Sequence, residues 1–428
     1  MYKLVNLEKD EYENFVENST YTHFMQSYDF GQIRKYKKFK PYYLGLKKDN
    51  KIVASALILE KNLKFSYTYF YSPRGYVIDY KNKELIKIFT EELKKFAKEK
   101  KAIFIKIDPA IIRHKLDQDG NIYDQENNNY DLIDYLKSLK YKHLGYNIGF
   151  ENEQPRFTFR VNIDYPIDEV LQHMHPTTRK ILNKNNQYNL KVYKGDINDM
   201  NDFYITMIET AKREGILQAP IKYYEEFYNI FNKDNKSDIY VVKANIKDLV
   251  KNFKDKITDV ENKIDSLKEH ENKNKGKIND LTNQINKLNK QLNEIKKIKE
   301  KEIVLSSIIT VKYKDTVWTV HGGNNSILME LNGNYECYWK IIKDANEEGY
   351  KTVDCFGTCG IANPDKDNPI FGIHSFKKRL GGEYTEFIGE FDLITNKPLY
   401  FMYKKLIPLY RKIKRKKELK NEINRTKW

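Results

Sequence analysis

FGIHSFKKRLGGEYTEFIGEFDL, residues Phe371–Leu393, is the stretch on which the reading of the whole chain turns. Two aromatics, Phe371 and Phe376, precede a basic run from Lys377 to Arg379 and a Gly381-Gly382 pair. Glycine tolerates backbone angles that other residues avoid, so the pair reads as a turn. An acidic, strand-like segment follows it directly. A run this long is far more specific than any three-residue motif.

The chain around it has 428 residues, more than one ordinary domain, and its 40% hydrophobic content can fill two or three cores. No window of about 18 apolar residues occurs, so no membrane-spanning helix is expected. The N-terminal MYKLVNLEKDEYENF is charged and lacks the apolar core of a secretory signal, so a cytoplasmic protein is expected. Cys337, Cys355 and Cys359 are too few for a disulfide framework, and no ligand cluster accompanies them. They are expected to be small buried hydrophobes, and no metal is expected.

Net charge is +16, from 76 Lys and Arg against 60 Asp and Glu, and it is unevenly spread. Residues 404–428 hold eleven Lys/Arg and two Glu. A solvated helix end would explain such a run, and so would a phosphate-binding tail. Leu406, Ile407, Leu409, Tyr410 and Ile413 add apolar surface, which favours peripheral contact with an anionic membrane over an RNA arm.

Apolar residues at Val250, Phe253, Ile257, Val260, Ile264 and Leu267 alternate by three and four. The alternation resumes at Ile278, Leu281, Ile285, Leu288, Leu292 and Ile295 after a polar HENKNKG, His270–Gly276. Each half is about three heptads of helix seam, and the short break predicts an antiparallel hairpin that projects from the body. Such an arm serves either a nucleic acid or a protein partner, in a homo- or hetero-oligomer. It leaves from one strand-like segment, Ile239–Asn245, and returns into another, Ile303–Tyr313. On either side, helix and strand patterns alternate in two successive sets, as in two mixed α/β units.

Further segments complete a resemblance. They are MQSYDFGQIRKY (Met25–Tyr36), YSPRGYVIDY (Tyr71–Tyr80), IKIDPAI (Ile105–Ile111), ENEQPRFTFRV (Glu151–Val161) and HPTTRKILNK (His175–Lys184). With the opening stretch, in this order, they resemble the Fem family, the FemABX-type aminoacyltransferases that build interpeptide bridges in bacterial peptidoglycan. The chain departs from that pattern at Phe30, usually Trp, and at Tyr76, usually a second Pro.

The resemblance implies an α/β (α+β) fold of two tandem GNAT-like acyltransferase domains with an inserted antiparallel coiled-coil hairpin. The first domain would span 1–153, completed by about 385–410; the second, 154–245 and 303–384; the arm, 246–302; the basic tail, 404–428. It also implies a transfer site at Phe376 and Lys377, where a fixed cation would stabilise the oxyanion of an ester-to-amide transfer. Asp108, at a strand end, would orient the amine; it could equally cap a turn. Arg34 would contact a diphosphate, in a forked geometry suited to guanidinium. Arg74 would bind acceptor or merely sit in a Pro-Arg-Gly turn. The family's second basic contact falls near Tyr223-Tyr224, where Pro220 and Lys222 stand, so Lys222 and Tyr224 are the candidates.

The implied activity is transfer of an amino acid from aminoacyl-tRNA to an amine on the stem peptide or growing bridge of lipid II or UDP-MurNAc-pentapeptide. It would need no cofactor and would occur at the inner membrane face. The acyl-CoA loop pattern R-x-x-G-x-G/A is missing, which speaks against an acetyl donor. A protein or lipid acceptor, or a non-catalytic coiled-coil adaptor, is the alternative.

Overall fold

The computed structural model describes residues 1–63 and 66–406. Most of the basic tail expected at 404–428 therefore lies outside the described residues, as does the start of the strand expected at Phe65–Phe70. Two sheets form, and they exchange strands. β1 (Tyr2–Asn6), β2 (Lys40–Lys48), β3 (Lys51–Asn62), β4 (Thr68–Ser72), β5 (Val77–Ile78) and β6 (Ala102–Ile107) open the first. β7 (Ile112–Leu116) and β8 (Ile122–Asn128) leave it for the second sheet, and β9 (Tyr141–His143) returns. β10 (Phe157–Asn162), β11 (Lys191–Gly195), β12 (Ser237–Asn245) and β13 (Glu302–Tyr313) belong to the second, with β14 (Thr316–Asn324), β15 (Thr352–Thr358) and β16 (Glu383–Phe387). β17 (Phe391–Ile394) crosses back to lie between β6 and β9.

Two mixed α/β units in tandem are thus present, as the sequence predicts, but their sheets interlock. Residues 112–128, read from sequence as part of the first unit, pair with β16 in the second sheet. Arg113 finds its counter-ion there in Glu386, which also meets His114 Nε2. The returning strand β17 falls within the range expected to complete the first domain.

Alternation along each strand separates three cores. On β3 and β4, Leu57, Leu59, Tyr69 and Tyr71 face inward between the units, while Ala56, Ile58 and Phe70 face the outer helix Lys83–Glu99. On β12, Ile239 and Val241 join the inter-unit core, whereas Tyr240, Val242 and Ala244 face the second unit's own core. Helices Met200–Glu214 and Ile221–Asn232 bring Phe203, Met207, Phe227 and Phe231 to the middle. A shared apolar core of this kind resists separation of the units and fixes the cleft they form.

Helices Ile246–Lys268 and Glu271–Lys296 pack along each other as a hairpin inserted between β12 and β13. The reversal is tighter than the sequence suggests, since only Glu269 and His270 separate the helices and Gly276 lies within the second. Lysines are good helix formers, and one interior glycine costs only about 1 kcal/mol. The base of the hairpin is docked rather than projecting. Leu249, Phe253, Ile257, Leu292 and Ile295 are buried in the second unit's core. Lys256 sits 3.6 Å from the Tyr188 ring centroid. The distal seam, Ile264, Leu267, Ile278 and Leu281, is partly exposed.

Candidate active site

β14 and β15 run parallel, but only from Thr316–Trp318 against Thr352–Asp354. Beyond that point they part, and a cleft of about 270 Å³ opens between them. Thr319 and Gly322 line it from β14, Phe356 and Gly357 from β15. The gap is held open by a bulge. The β10–β15 register slips between Thr158 and Arg160, and Phe356 takes φ +58°, unusual for a bulky residue. Asp354 Oδ1 accepts the Phe356 N–H at 2.8 Å, which fixes that turn of backbone.

Lys377 enters this cleft from the helix Phe371–Lys378. It is 6% exposed, and its Nζ donates to the carbonyls of Phe356 (3.2 Å) and Gly357 (2.7 Å). An ammonium has three N–H groups, so one remains for a third acceptor. Burial lowers Lys377 to about 8, against the pull of Cys355 and Asp354. Phe376 forms the adjacent wall, edge-on to Tyr335 (4.8 Å) and Tyr338 (5.0 Å). The structure therefore brings Phe376 and Lys377 together at one cleft. Cys355 lies buried beside Lys377, and Cys337 and Cys359 are buried as well. Among the described residues, no group of three or more His, Cys, Asp or Glu could hold a metal.

Asp108 ends β6 and is 2% exposed. It does not open into the cleft as a free carboxylate, because both oxygens are engaged. Oδ2 accepts from the Tyr71 hydroxyl at 3.0 Å and Oδ1 from the Arg74 N–H at 2.7 Å. Burial raises it to about 7, against the opposing pull of Arg74. The Pro-Arg-Gly turn expected from sequence is real, with Arg74 at φ +53°. Gln26, fully buried, donates to the Pro73 carbonyl at 2.6 Å and accepts from the Leu57 N–H. Arg74 itself crosses between the units: Nη2 donates to the Pro155 carbonyl at 2.6 Å, and the guanidinium lies 4.5 Å over Phe387. Pro155 is a wall of the Lys377 cleft. Asp108 and Arg74 thus brace the cleft from the first unit.

A second cationic group lies where the helix Tyr28–Tyr36 meets the helix Ile221–Asn232. Arg34 packs over Phe39 (4.7 Å) and Phe30 (5.8 Å), and its Nε has no hydrogen-bond partner among the described residues. Lys37 is exposed as a residue, yet its ammonium sits 4.5 Å over the Tyr223 ring. Crowding there, and then the Arg34 charge, lower Lys37 to about 8. His321 of β14 meets Tyr223, Tyr224 and Phe227 edge-on, and burial holds it down to about 3, hence neutral.

Two expectations shift here. Tyr224 is core, 2% exposed, with its hydroxyl donating to Gln218 Oε1 at 2.6 Å. Tyr223 is the ring that meets the cations. Lys222 is exposed in the first turn of its helix, and Lys37 supplies the second charge beside Arg34. Lys37 caps the C-terminus of the helix that carries Arg34.

Glu386, Glu390 and Asp392 of the opening stretch are structural. Glu386 takes Arg113 Nη1 (2.9 Å), Arg156 Nη1 and His114 Nε2 (2.7 Å). Glu390 accepts from Lys106 at 2.8 Å and from the Glu153 N–H. Asp392, fully buried, accepts from the Tyr400 hydroxyl at 2.7 Å and pairs with Lys404. These contacts lock the strands that cross between the units. Gly381, at φ +83°, lies so close to the His173 carbonyl that a Cβ would clash at 2.6 Å.

A family model described as the FemAB family matches residues 7–407. A Staphylococcus aureus (strain MRSA252) protein described as lipid II:glycine glycyltransferase is 27% identical, over 96% of this chain and 99% of its own length. A protein of that same description from S. aureus strain USA300 is 26% identical over the same shares. A solved structure titled as that of FemX aligns with a TM-score of 0.73 at 26% identity, covering 94% of this chain and 99% of its own.

Proposed function

The chain belongs to the FemAB family, and from that premise we propose that it is an aminoacyltransferase that adds an amino acid to an amine of a peptidoglycan precursor. The observation that carries this is Lys377, a desolvated cation at the head of a cleft whose other wall is Phe376. The relatives named above act on lipid II, which makes a lipid-linked stem peptide the favoured acceptor. Aminoacyl-tRNA is the proposed donor. Its ester is already activated, so no nucleophilic Ser or Cys is required.

In the proposed reaction the acceptor amine attacks the ester carbonyl. A C–N bond forms, and charge develops on the carbonyl oxygen. The Lys377 ammonium, already desolvated, stabilises that oxyanion without reorganising. The ester C–O bond then breaks, and the ribose hydroxyl leaves with the amine's proton. Asp108 serves as a positioning residue, holding the Arg74 turn that braces Pro155. Arg34 and Lys37, rather than Lys222, hold the acceptor's diphosphate. Among the described residues no helix is long and apolar enough to cross a membrane, so a lipid-linked acceptor would be met at the surface.

Two tests follow from the site. Replacing Arg34 and Lys37 together by Ala should raise KM for the acceptor about tenfold or more, with kcat within about twofold, as expected for lost ground-state contacts. An equal fall in kcat would place these cations in the transfer step instead. The second test is the pH profile of kcat/KM. Asp108 must ionise to hold its N–H donor, so activity rises through about 7. Lys377 must stay protonated, so activity falls through about 8. The result is a narrow bell. Asp108→Asn should flatten its acid limb and leave the alkaline one. A profile unchanged by that substitution would remove Asp108 from the site's support. Transfer of labelled amino acid from charged tRNA to lipid II, against a peptide acceptor, tests the activity itself.

A further inference from the structure

The last described segment, 397–406, is helical, with apolar side chains both against the body and exposed. Its inner side is accounted for. Leu399, Tyr400 and Tyr403 pack on the inter-unit core, with Tyr400 and Tyr403 against Phe104 at 5.4 and 5.1 Å. Tyr400 and Lys404 are both tied to buried Asp392, so the helix is fixed in orientation. The outer side carries Phe401, Met402 and Leu406, which are 60%, 52% and 55% exposed. Helical spacing puts Met402 and Leu406 one turn apart, with Phe401 and Lys405 beside them. Large apolar side chains exposed together mark a contact surface.

We infer that this outer side is a membrane-docking surface whose partner is an anionic lipid bilayer. Charge complementarity selects that occupant. Lys405 lies 4.4 Å over the Phe401 ring, so a cation borders the exposed apolar side chains. Phe and Leu with adjacent Lys is the pattern of a helix lying in the lipid headgroup layer. A nucleic acid would use the lysines but leave the three apolar side chains in water. The sequence beyond adds nine more Lys/Arg between 411 and 427. The inference rests on the transferase reading for one point only, that the acceptor is itself a membrane lipid. Docking here would hold the cleft against the surface that displays the stem peptide.

The full chain should co-sediment with phosphatidylcholine vesicles that contain phosphatidylglycerol, and not with phosphatidylcholine alone. Binding should fall as salt rises. Phe401→Ser, Met402→Ser and Leu406→Ser combined should weaken it by about tenfold or more. The same variant should transfer normally to the soluble UDP-linked precursor while losing transfer to lipid II in vesicles. Wild type that ignores anionic vesicles, or a variant that binds them as well as wild type, overturns the inference. So does a wild-type dimer by light scattering that the variant loses with vesicle binding unchanged, since the helix would then face a second copy. Vesicle binding without any transfer to either acceptor would leave the docking surface standing and sink the transferase reading alone.

Discussion

Lys377→Met lowers kcat/KM by about two to three orders of magnitude, the usual result of removing a cation that meets a developing oxyanion, while the fold is retained. Two opposing effects keep the fold intact. The carbonyls of Phe356 and Gly357 lose their donor, which costs roughly 1–3 kcal/mol for each buried acceptor left unmade. Against this, a charge that was expensive to desolvate is gone, and methionine fills the same volume with apolar atoms. The net change should lie within about 2 kcal/mol. A pH series separates the two roles. Because folding lowers Lys377 from 10.5 to about 8, the unfolded chain binds the extra proton between those values. Wild-type stability therefore gains from this residue as pH rises through that window, and below about 8 the gain is absent. The methionine variant lacks that gain. Activity within tenfold of wild type, with this stability difference present, would leave Lys377 a prop for the bulged strand and nothing more.

The opening stretch was legible because its residues do several jobs at once. Phe376 and Lys377 make the cleft, Gly381 avoids the His173 carbonyl, and Glu386, Glu390 and Asp392 hold the exchanged strands. Each job demands a particular residue type, and together they leave a long pattern. β7 and β8 left no such trace. IRHKL, which lies between β16 and β8, and the edge strand IYDQENN carry polar residues on both sides, so no period-of-two apolar pattern marks them. The hairpin seam was legible from spacing alone, but its docking was not. Phe253 and Leu292 face the partner helix and the body together, and an apolar residue does not declare which neighbour it meets.

The site was only partly legible for a related reason. Asp108 at a strand end could have faced the cleft; what turned it inward was the Arg74 N–H, which an ordinary sequence pattern does not record. Lys222 adjoins Tyr223-Tyr224 along the chain. In space it is Lys37 that meets the Tyr223 ring, because the two helices pack together.

Glu386→Ala should be the most damaging single change to stability, at about 3–5 kcal/mol, the cost of leaving buried charge uncompensated. Glu386 is 5% exposed and is the common acceptor for Arg113, Arg156 and His114. Arg156 is itself 3% exposed, and without the carboxylate its guanidinium keeps, among the described residues, the Asn147 carbonyl as a hydrogen-bond acceptor, at 2.9 Å. The damage is also topological. β16 pairs with β7 on one side and β10 on the other, and Glu386 supplies the charge that both neighbours need. Burial alone would raise its carboxyl, but Arg156 and Arg113 outweigh that and hold it below the ordinary value of 4.5. A depressed carboxyl contributes stability that is present above 4.5 and is lost as pH falls through the folded value. Urea unfolding of wild type should therefore weaken on acidification, and the alanine variant should lack this residue's share of that decline. Glu386→Gln should recover part of the loss, since one amide oxygen still accepts from an arginine. A midpoint shift worth less than about 1 kcal/mol would mean that water reaches these arginines, and that the interlocked strands are held by their apolar faces instead.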